Sequence, residues 1–448
     1  MNLFRAIATV SGITMISRLF GFVRDIMVAA VLGAGPLADV FFVAFKLPNL
    51  FRRLFAEGAF NAAFIPQFSG MLTERGRHRA HEFAEQALAV LLWSLLIFVI
   101  LFEITMPWIM FGFAPGFATN PEKFNLAVLL SRITFPYLLF ISLVSLMSGL
   151  LNSLGKFAAA AATPILLNIC LIGAILWLAK FTSTPAHALA FGVTIAGAIQ
   201  LLWLLFHVGR TGIKLRLRIP RFTAPIRTML WRIMPAAVGA GVYQISLLVD
   251  TVIASLLPTG SISYLFFADR VNQLPMGMIG VAVGTALLPM LSRQLSAGDS
   301  AAAIQTQNKA IDITLFLSLP AAAALIVIAE PTISVLFERG AFGLGETRAT
   351  SGALAVYATG LPAYVMVKVI TPAYFAREDT STPVKIGLLA VLVNLVLNLV
   401  LMGPFQHLGI AAATSASAWL NTILLTIILH RRGHFVFDVR LKSRLPRM

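Results

Sequence analysis

Twelve apolar runs divide this chain, each long enough to offer the about 20 residues that a helix needs to cross a roughly 30 Å hydrocarbon core. They cover residues 7 to 32, 37 to 69, 84 to 111, 125 to 153, 157 to 179, 186 to 208, 228 to 257, 261 to 292, 311 to 337, 349 to 376, 384 to 403 and 408 to 430. A backbone inside lipid must satisfy its own N–H and C=O groups, so these runs predict helices and an all-α polytopic membrane protein. Composition agrees: 58% of the 448 residues are hydrophobic and 12% charged, against about 25% charged in a soluble domain. The first run resembles a signal peptide in its early Arg5, but Arg18 and Arg24 interrupt it and no small-residue cleavage site follows. It reads as a retained first helix.

A net charge of +16 would suggest nucleic acid in a soluble chain. Its distribution argues otherwise. With the N-terminus inside, the cytoplasmic segments carry 22 Lys and Arg residues and the opposite face only Lys123, Lys180, Arg339 and Arg348. That bias predicts both termini on the cytoplasmic side. The basicity is topological, and no nucleic-acid partner is expected. The single cysteine, Cys170, lies in an apolar run, which excludes a disulfide framework or thiolate metal site.

The chain also repeats itself. "DIMVAAVLGAGPLADVFFVAF" from Asp25 aligns with "DTVIASLLPTGSISYLFFADR" from Asp250, and "NAAFIPQFS" from Asn61 with "GTALLPMLS" from Gly284. Each half holds six runs, so both copies enter from the same side. The expected architecture is two six-helix lobes, related by a parallel internal repeat around a central cavity, with substrate bound between them. The expected domains are 1–210 for the N-terminal lobe, 211–227 for a basic interfacial linker, 228–432 for the C-terminal lobe and 433–448 for a basic cytoplasmic tail. Linker and tail read as segments lying against anionic membrane lipid.

Besides Arg232 and Lys385, which lie close to run ends and count with the cytoplasmic segments, eight basic residues fall inside the runs: Arg18, Arg24, Lys46, Arg52, Arg53, Arg132, Arg270 and Lys368. Arg18 is about 16 Å along the first run at 1.5 Å per residue, too deep to snorkel readily. A mid-bilayer arginine costs about 2.5–3.5 kcal/mol on insertion scales, so such residues should face a wet cavity. Between residues 7 and 69, five basic residues (Arg18, Arg24, Lys46, Arg52, Arg53) outnumber three acidic ones (Asp25, Asp39, Glu57). Arg53 and Glu57 are spaced to pair on one helix face. The surplus suits an anion, and guanidinium forks match phosphate oxygens. Arg270, beside Asp269, supplies the corresponding charge in the second half. Gly33, Gly35, Pro36 and Pro48 are candidate hinges.

A second polar group lies in the C-terminal half. Asp250 is an intramembrane carboxylate, Asn394 and Asn398 are four residues apart, and Thr414 could complete an oxygen cage for Na⁺ or a proton relay. Interhelical hydrogen bonding is the alternative. The motifs HExxH, GxxxxGK[ST] and GxSxG are absent. The pattern is that of a transporter without a resident cofactor, driven by Na⁺, H⁺, membrane potential or substrate supply.

"SRLFGFVRD" at 17–25, "ADVFFVAFKLPNLFRRLFAEGAFNAAFIP" at 38–66, "FFADRVNQLPMGMIGVAVGTALLPMLS" at 266–292 and "TPVKIG" at 382–387 resemble the MurJ (MviN) family. The resemblance covers nearly the whole chain. It implies a flippase moving lipid II, the undecaprenyl-diphosphate-linked peptidoglycan precursor, across the bacterial inner membrane by alternating access. It also implies a fold shared with multidrug antiporters and polysaccharide flippases. On this resemblance Arg18, Arg24, Arg52 and Arg270 become expected headgroup contacts, and Asp25, Asp39, Lys46, Asn49, Arg53 and Glu57 cavity or gating residues. Lipid II and membrane lipids are the expected partners, with cell-wall synthesis machinery a further one. Family members commonly carry fourteen spans, the last two helping to form a groove for the polyprenyl tail, where twelve are read here. The alternatives are a flippase for another polyprenyl-linked glycan and a cation-coupled multidrug exporter, which would prefer an acidic and aromatic cavity. A polyprenyl-phosphate glycosyltransferase would need acidic clusters, and Glu378-Asp379 is the only adjacent acidic pair. A structural scaffold would tolerate loss of the arginines.

Overall fold

A computed structural model describes residues 3–53, 60–213, 215–438 and 444. Among the described residues the chain forms fourteen α-helices, and its β-structure is a single bridge between Arg339 and Phe342. The helices are α1 (Leu3–Leu32), α2 (Pro36–Phe51), α3 (Asn61–Glu74), α4 (Gly76–Phe113), α5 (Pro121–Thr134), α6 (Tyr137–Ser153), α7 (Phe157–Leu176), α8 (Pro185–Gly209), α9 (Ala224–Ser255), α10 (Ser261–Ser296), α11 (Ser300–Val327), α12 (Ala329–Phe337), α13 (Leu344–Phe375) and α14 (Ser381–Arg431). By length and composition, α4, α5 with α6, α7, α8, α11, α13 and α14 can cross a membrane. The charged α1 and the short α2 and α3 are not in that group.

The chain divides into two compact units, Met1–Gln244 and Ile245–Met448. In the first, α1 packs on α7, α7 and α6 pack on α8, and α2 packs on α5. In the second, α13 is the hub against which α10, α11 and α14 pack. Its core joins Ile311, Leu315, Val369, Ile370, Leu425 and Phe435. The buried hydroxyl of Tyr374 donates to the Leu425 carbonyl at 2.6 Å, tying α13 to α14.

The expected span 37–69 is two helices. Pro48 has no N–H to give to the carbonyl four residues back. Thr134 supplies the missing donor, its hydroxyl meeting the Ala44 carbonyl at 2.9 Å. Beyond Phe51 the ladder widens into π-type turns at 52–53 and 60, a geometry frequent at functional sites. An aromatic cluster pins the end of α2, with Phe51 packed edge-on against Phe98 and Phe102, each at 5.2 Å, and Phe102 stacked on Phe135 at 4.9 Å.

The expected spans 384–403 and 408–430 form one long α14, bent where Gln406 adopts φ 50°, ψ −129°. Gly409 allows the bend, because a Cβ there would overlap the Leu401 carbonyl. The linker is fastened to α4. Arg216 and Arg221 donate their backbone N–H groups to Glu85 and Gln86, and Arg218 pairs with Glu85 at 2.5 Å. The tail, expected to lie on lipid, folds back on its own unit. Phe435 is buried, the Asn308 amide donates to the Val436 carbonyl at 2.8 Å, and Arg432 pairs with Asp379 at 2.5 Å.

Candidate functional site

In the first unit the charged residues of α1 fall into two environments. Arg24 is buried, and its Nε and Nη2 donate to Asp25 Oδ1 at 3.0 and 2.7 Å. Its Nη1 donates to Asn168 Oδ1 on α7 at 2.8 Å, and Asn168 Nδ2 in turn reaches the Ser17 carbonyl at 3.1 Å. One guanidinium thus closes a circuit between α1 and α7. Arg18, six residues earlier, is exposed and makes no hydrogen bond or ion pair among the described residues.

The α2 residues are arranged differently. Asp39 lies in the first turn of α2, where the helix N-terminus favours an anion. Rather than opening into a cavity, it is 1% exposed and pairs with Lys123 at 3.2 Å, whose ammonium also lies 4.4 Å from the Phe117 ring centroid. At the other end of α2, Asn49 donates to the Phe45 carbonyl at 2.8 Å and accepts from Arg52 Nε at 3.0 Å. That holds Arg52 at the π-type turn. Lys46 is half-buried and Arg53 exposed. Glu57, and with it the expected Arg53–Glu57 pair, lies outside the described residues.

In the second unit the four expected oxygen-bearing residues come together. Asn398 Nδ2 donates to Asp250 Oδ1 at 2.8 Å and to Asn394 Oδ1 at 3.1 Å, and Asn394 Nδ2 approaches Thr414 Oγ1 at 3.5 Å. Asn398 Oδ1 is buried and accepts no hydrogen bond among the described residues. A buried acceptor beside a carboxylate has the chemistry of a hard-cation site. Arg270 lies over the Phe266 ring with its Cζ 4.7 Å from the centroid, and the Asp269 carboxylate accepts from Gln273.

Sequence reasoning missed three partners. Asn168 is a lone amide in the apolar run "PILLNICLIG", and Lys123 is one of the four basic residues assigned from the sequence to the sparsely charged face. Either oddity was a usable signal. Arg132, counted among the intramembrane cations, donates to the Glu103 carbonyl at 3.1 Å, and Glu103 itself was overlooked.

The family model described as lipid II flippase MurJ matches residues 28–446. A Rhizobium tropici protein named "Probable lipid II flippase MurJ" is 45% identical over 99% of this chain and 84% of its own length. A Burkholderia cenocepacia protein named "Lipid II flippase MurJ" is 36% identical over 97% of this chain and 85% of its own. Among solved structures, one of lipid II flippase MurJ in an inward closed conformation superposes with a TM-score of 0.81 at 29% identity, covering 95% of this chain and 88% of that one. An inward-facing multidrug resistance transporter of the MATE family gives a TM-score of 0.76 at 14% identity over 95% of this chain and 98% of that one, a likeness of fold alone.

Proposed function

The chain belongs to the lipid II flippase MurJ family, and from that premise we propose which of its residues carry the substrate. It is a multi-pass bacterial membrane protein that translocates lipid II, a transporter and not an enzyme. The reading is that the substrate's diphosphate meets Arg18, Arg24 and Arg52 from the N-terminal six-helix lobe and Arg270 from the C-terminal one. The lobes rock between inward and outward access, the parallel repeat supplying the symmetry for that motion. The polyprenyl tail stays in lipid.

The observation that carries this reading is the state of Arg18. An exposed guanidinium without an acidic partner among the described residues keeps its full capacity for phosphate oxygens. Arg24 is presented differently, oriented by Asp25 and Asn168. Asn49 similarly orients Arg52. Asp39 joined to Lys123 serves as a structural gate element between α2 and α5 rather than as a substrate contact.

Asp250, Asn394, Asn398 and Thr414 form the proposed coupling site, with Na⁺ taking the unshared Asn398 oxygen and the Asp250 carboxylate. Lipid II exposure is scored in a bacterium depleted of its own flippase. Wild type is expected to restore growth and periplasmic lipid II, and Arg18→Ala or Arg270→Ala to insert normally and fail. Full activity of both variants would sink the diphosphate assignment. For coupling, Na⁺ should raise the melting temperature of the wild type and leave Asp250→Asn unmoved, since a ligand stabilises only the state that binds it. An equal shift in both would remove Asp250 from the site.

A further inference from the structure

Away from these charged groups, the first unit has a groove of about 460 Å³, within the range of ordinary ligand sites. Its walls are apolar: Ile13 of α1, Phe157 and Ala162 of α7, and the indole of Trp203 on α8. Its rim is not, for Lys156 and His207 stand at the edge. Trp203 Nε1 donates to the Ala159 carbonyl at 3.1 Å, which fixes the indole as a wall. The Trp203 carbonyl accepts from His207 Nδ1 at 2.9 Å, leaving Nε2 as the nitrogen the imidazole can turn to a ligand. Lys156 is exposed in the turn between α6 and α7. Arg210 follows His207 three residues on, its guanidinium 5.8 Å from the Phe206 ring.

The sequence supplies no countercharge here. There is no Asp or Glu between Glu122 and Asp250, nor any before Asp25, so the whole of α7 and α8 and the start of α1 are free of carboxylates. An apolar slot with a purely basic rim, in a chain that crosses a bilayer, has the chemistry of an anionic lipid site.

We propose that this groove binds an anionic phospholipid, with its phosphate at Lys156 and His207 and one acyl chain along Ile13, Phe157, Ala162 and Trp203. Free phosphate would leave the apolar slot unused, and a neutral lipid would leave the basic rim uncompensated. The site goes beyond the flippase reading, since its ligand is a bilayer component and not the cargo. Its lipid would lie against the α1–α7 packing through which Asn168 holds Arg24, linking membrane composition to the posture of that arginine.

The test uses the intact protein in phosphatidylcholine vesicles carrying a minor fraction of brominated phosphatidylglycerol or, in parallel, brominated phosphatidylcholine. Bromine quenches nearby tryptophan, and Trp203→Phe subtracts the signal of the other five tryptophans. The Trp203 share of emission should be quenched at least about twofold more by the phosphatidylglycerol, as expected for a basic site that selects anionic headgroups. Lys156→Gln with His207→Gln should abolish that preference, while Lys156→Arg should keep it. Equal quenching by both lipids in the wild type would overturn the proposal, as would persistence of the preference in the double variant. Relief of quenching by inorganic phosphate would make this a phosphate site, and relief by an equimolar amount of purified lipid II would make it a substrate site. Either also overturns the assignment. The readout involves no flipping, so its failure is separable from failure of the flippase reading.

Discussion

Arg18 and Arg24 share a helix and a residue type, yet their surroundings give opposite expectations for stability. Truncating Arg24 would remove the guanidinium that pairs with the buried Asp25 carboxylate and donates to Asn168 Oδ1. Breaking one side of a buried pair costs about 3–5 kcal/mol. Arg18 is exposed and makes no such pair, so its loss should change stability by less than about 0.5 kcal/mol. Thermal unfolding in detergent should therefore show Arg24→Ala melting well below wild type and Arg18→Ala melting with it, although on the proposed assignment both should impair flipping. Coincident melting of the two variants would contradict the Arg24–Asn168 circuit. Asp379, in the loop between α13 and α14, invites a pH experiment. The Thr382 hydroxyl and backbone N–H, followed by Arg432, lower its carboxyl from 3.8 to about 2. A group depressed on folding stabilises fully above its unfolded value and loses that contribution as pH falls through the folded one. The hold of Arg432 on this loop should thus be intact above pH 4 and fade between pH 4 and 2. Asp379→Asn should flatten the dependence of unfolding midpoint on pH across that window.

At the scale of elements, what the sequence revealed was what depends on composition and local spacing. Each of the twelve apolar runs corresponds to a helix, a helix pair or half of a bent helix, because hydropathy over about 20 residues needs no knowledge of neighbours. The Asp250, Asn394, Asn398 and Thr414 group was legible for a related reason: polar residues in lipid are costly, and an i, i+4 spacing puts two amides on one face. The division of the second run was hidden, since Pro48 alone reads as a kink, while the hydroxyl that caps the Ala44 carbonyl comes from Thr134 on another helix. Asn168 with Arg24 and Lys123 with Asp39 were equally beyond a local reading. Thr134→Val should leave that buried carbonyl unsatisfied and cost about 1–3 kcal/mol, measured as a lowered melting temperature. Gln406 offers the reverse experiment. Its backbone, at φ 50° and ψ −129°, occupies a region suited to glycine. Gln406→Gly should relieve about 1–3 kcal/mol of strain and raise the melting temperature, whereas unchanged or reduced stability would show that the side chain contributes more than the backbone loses.

For the whole molecule the governing quantity is the placement of its basic residues. Several of those assigned to the cytoplasmic face are not simply presented to lipid: Arg218 pairs with Glu85, Arg432 with Asp379, and Arg444 with Asp312 at 2.6 Å. This local neutralisation does not weaken the topological expectation, because orientation follows the count of Lys and Arg near the helix ends and acidic residues contribute little. A ratio of 22 to 4 therefore still predicts that the long basic linker lies inside. The single cysteine makes the expectation straightforward to test, since Cys170→Ala gives a background free of thiols. Lys180, Arg348, Arg77 and Arg293 are all exposed, the first two on the face expected to be periplasmic and the last two on the cytoplasmic face. Single cysteines at 180 and 348 should react with a membrane-impermeant maleimide in intact spheroplasts, and those at 77 and 293 only after permeabilisation. Labelling in the opposite sense would invert the protein, and the direction proposed for diphosphate collection by the arginines of α1 would invert with it.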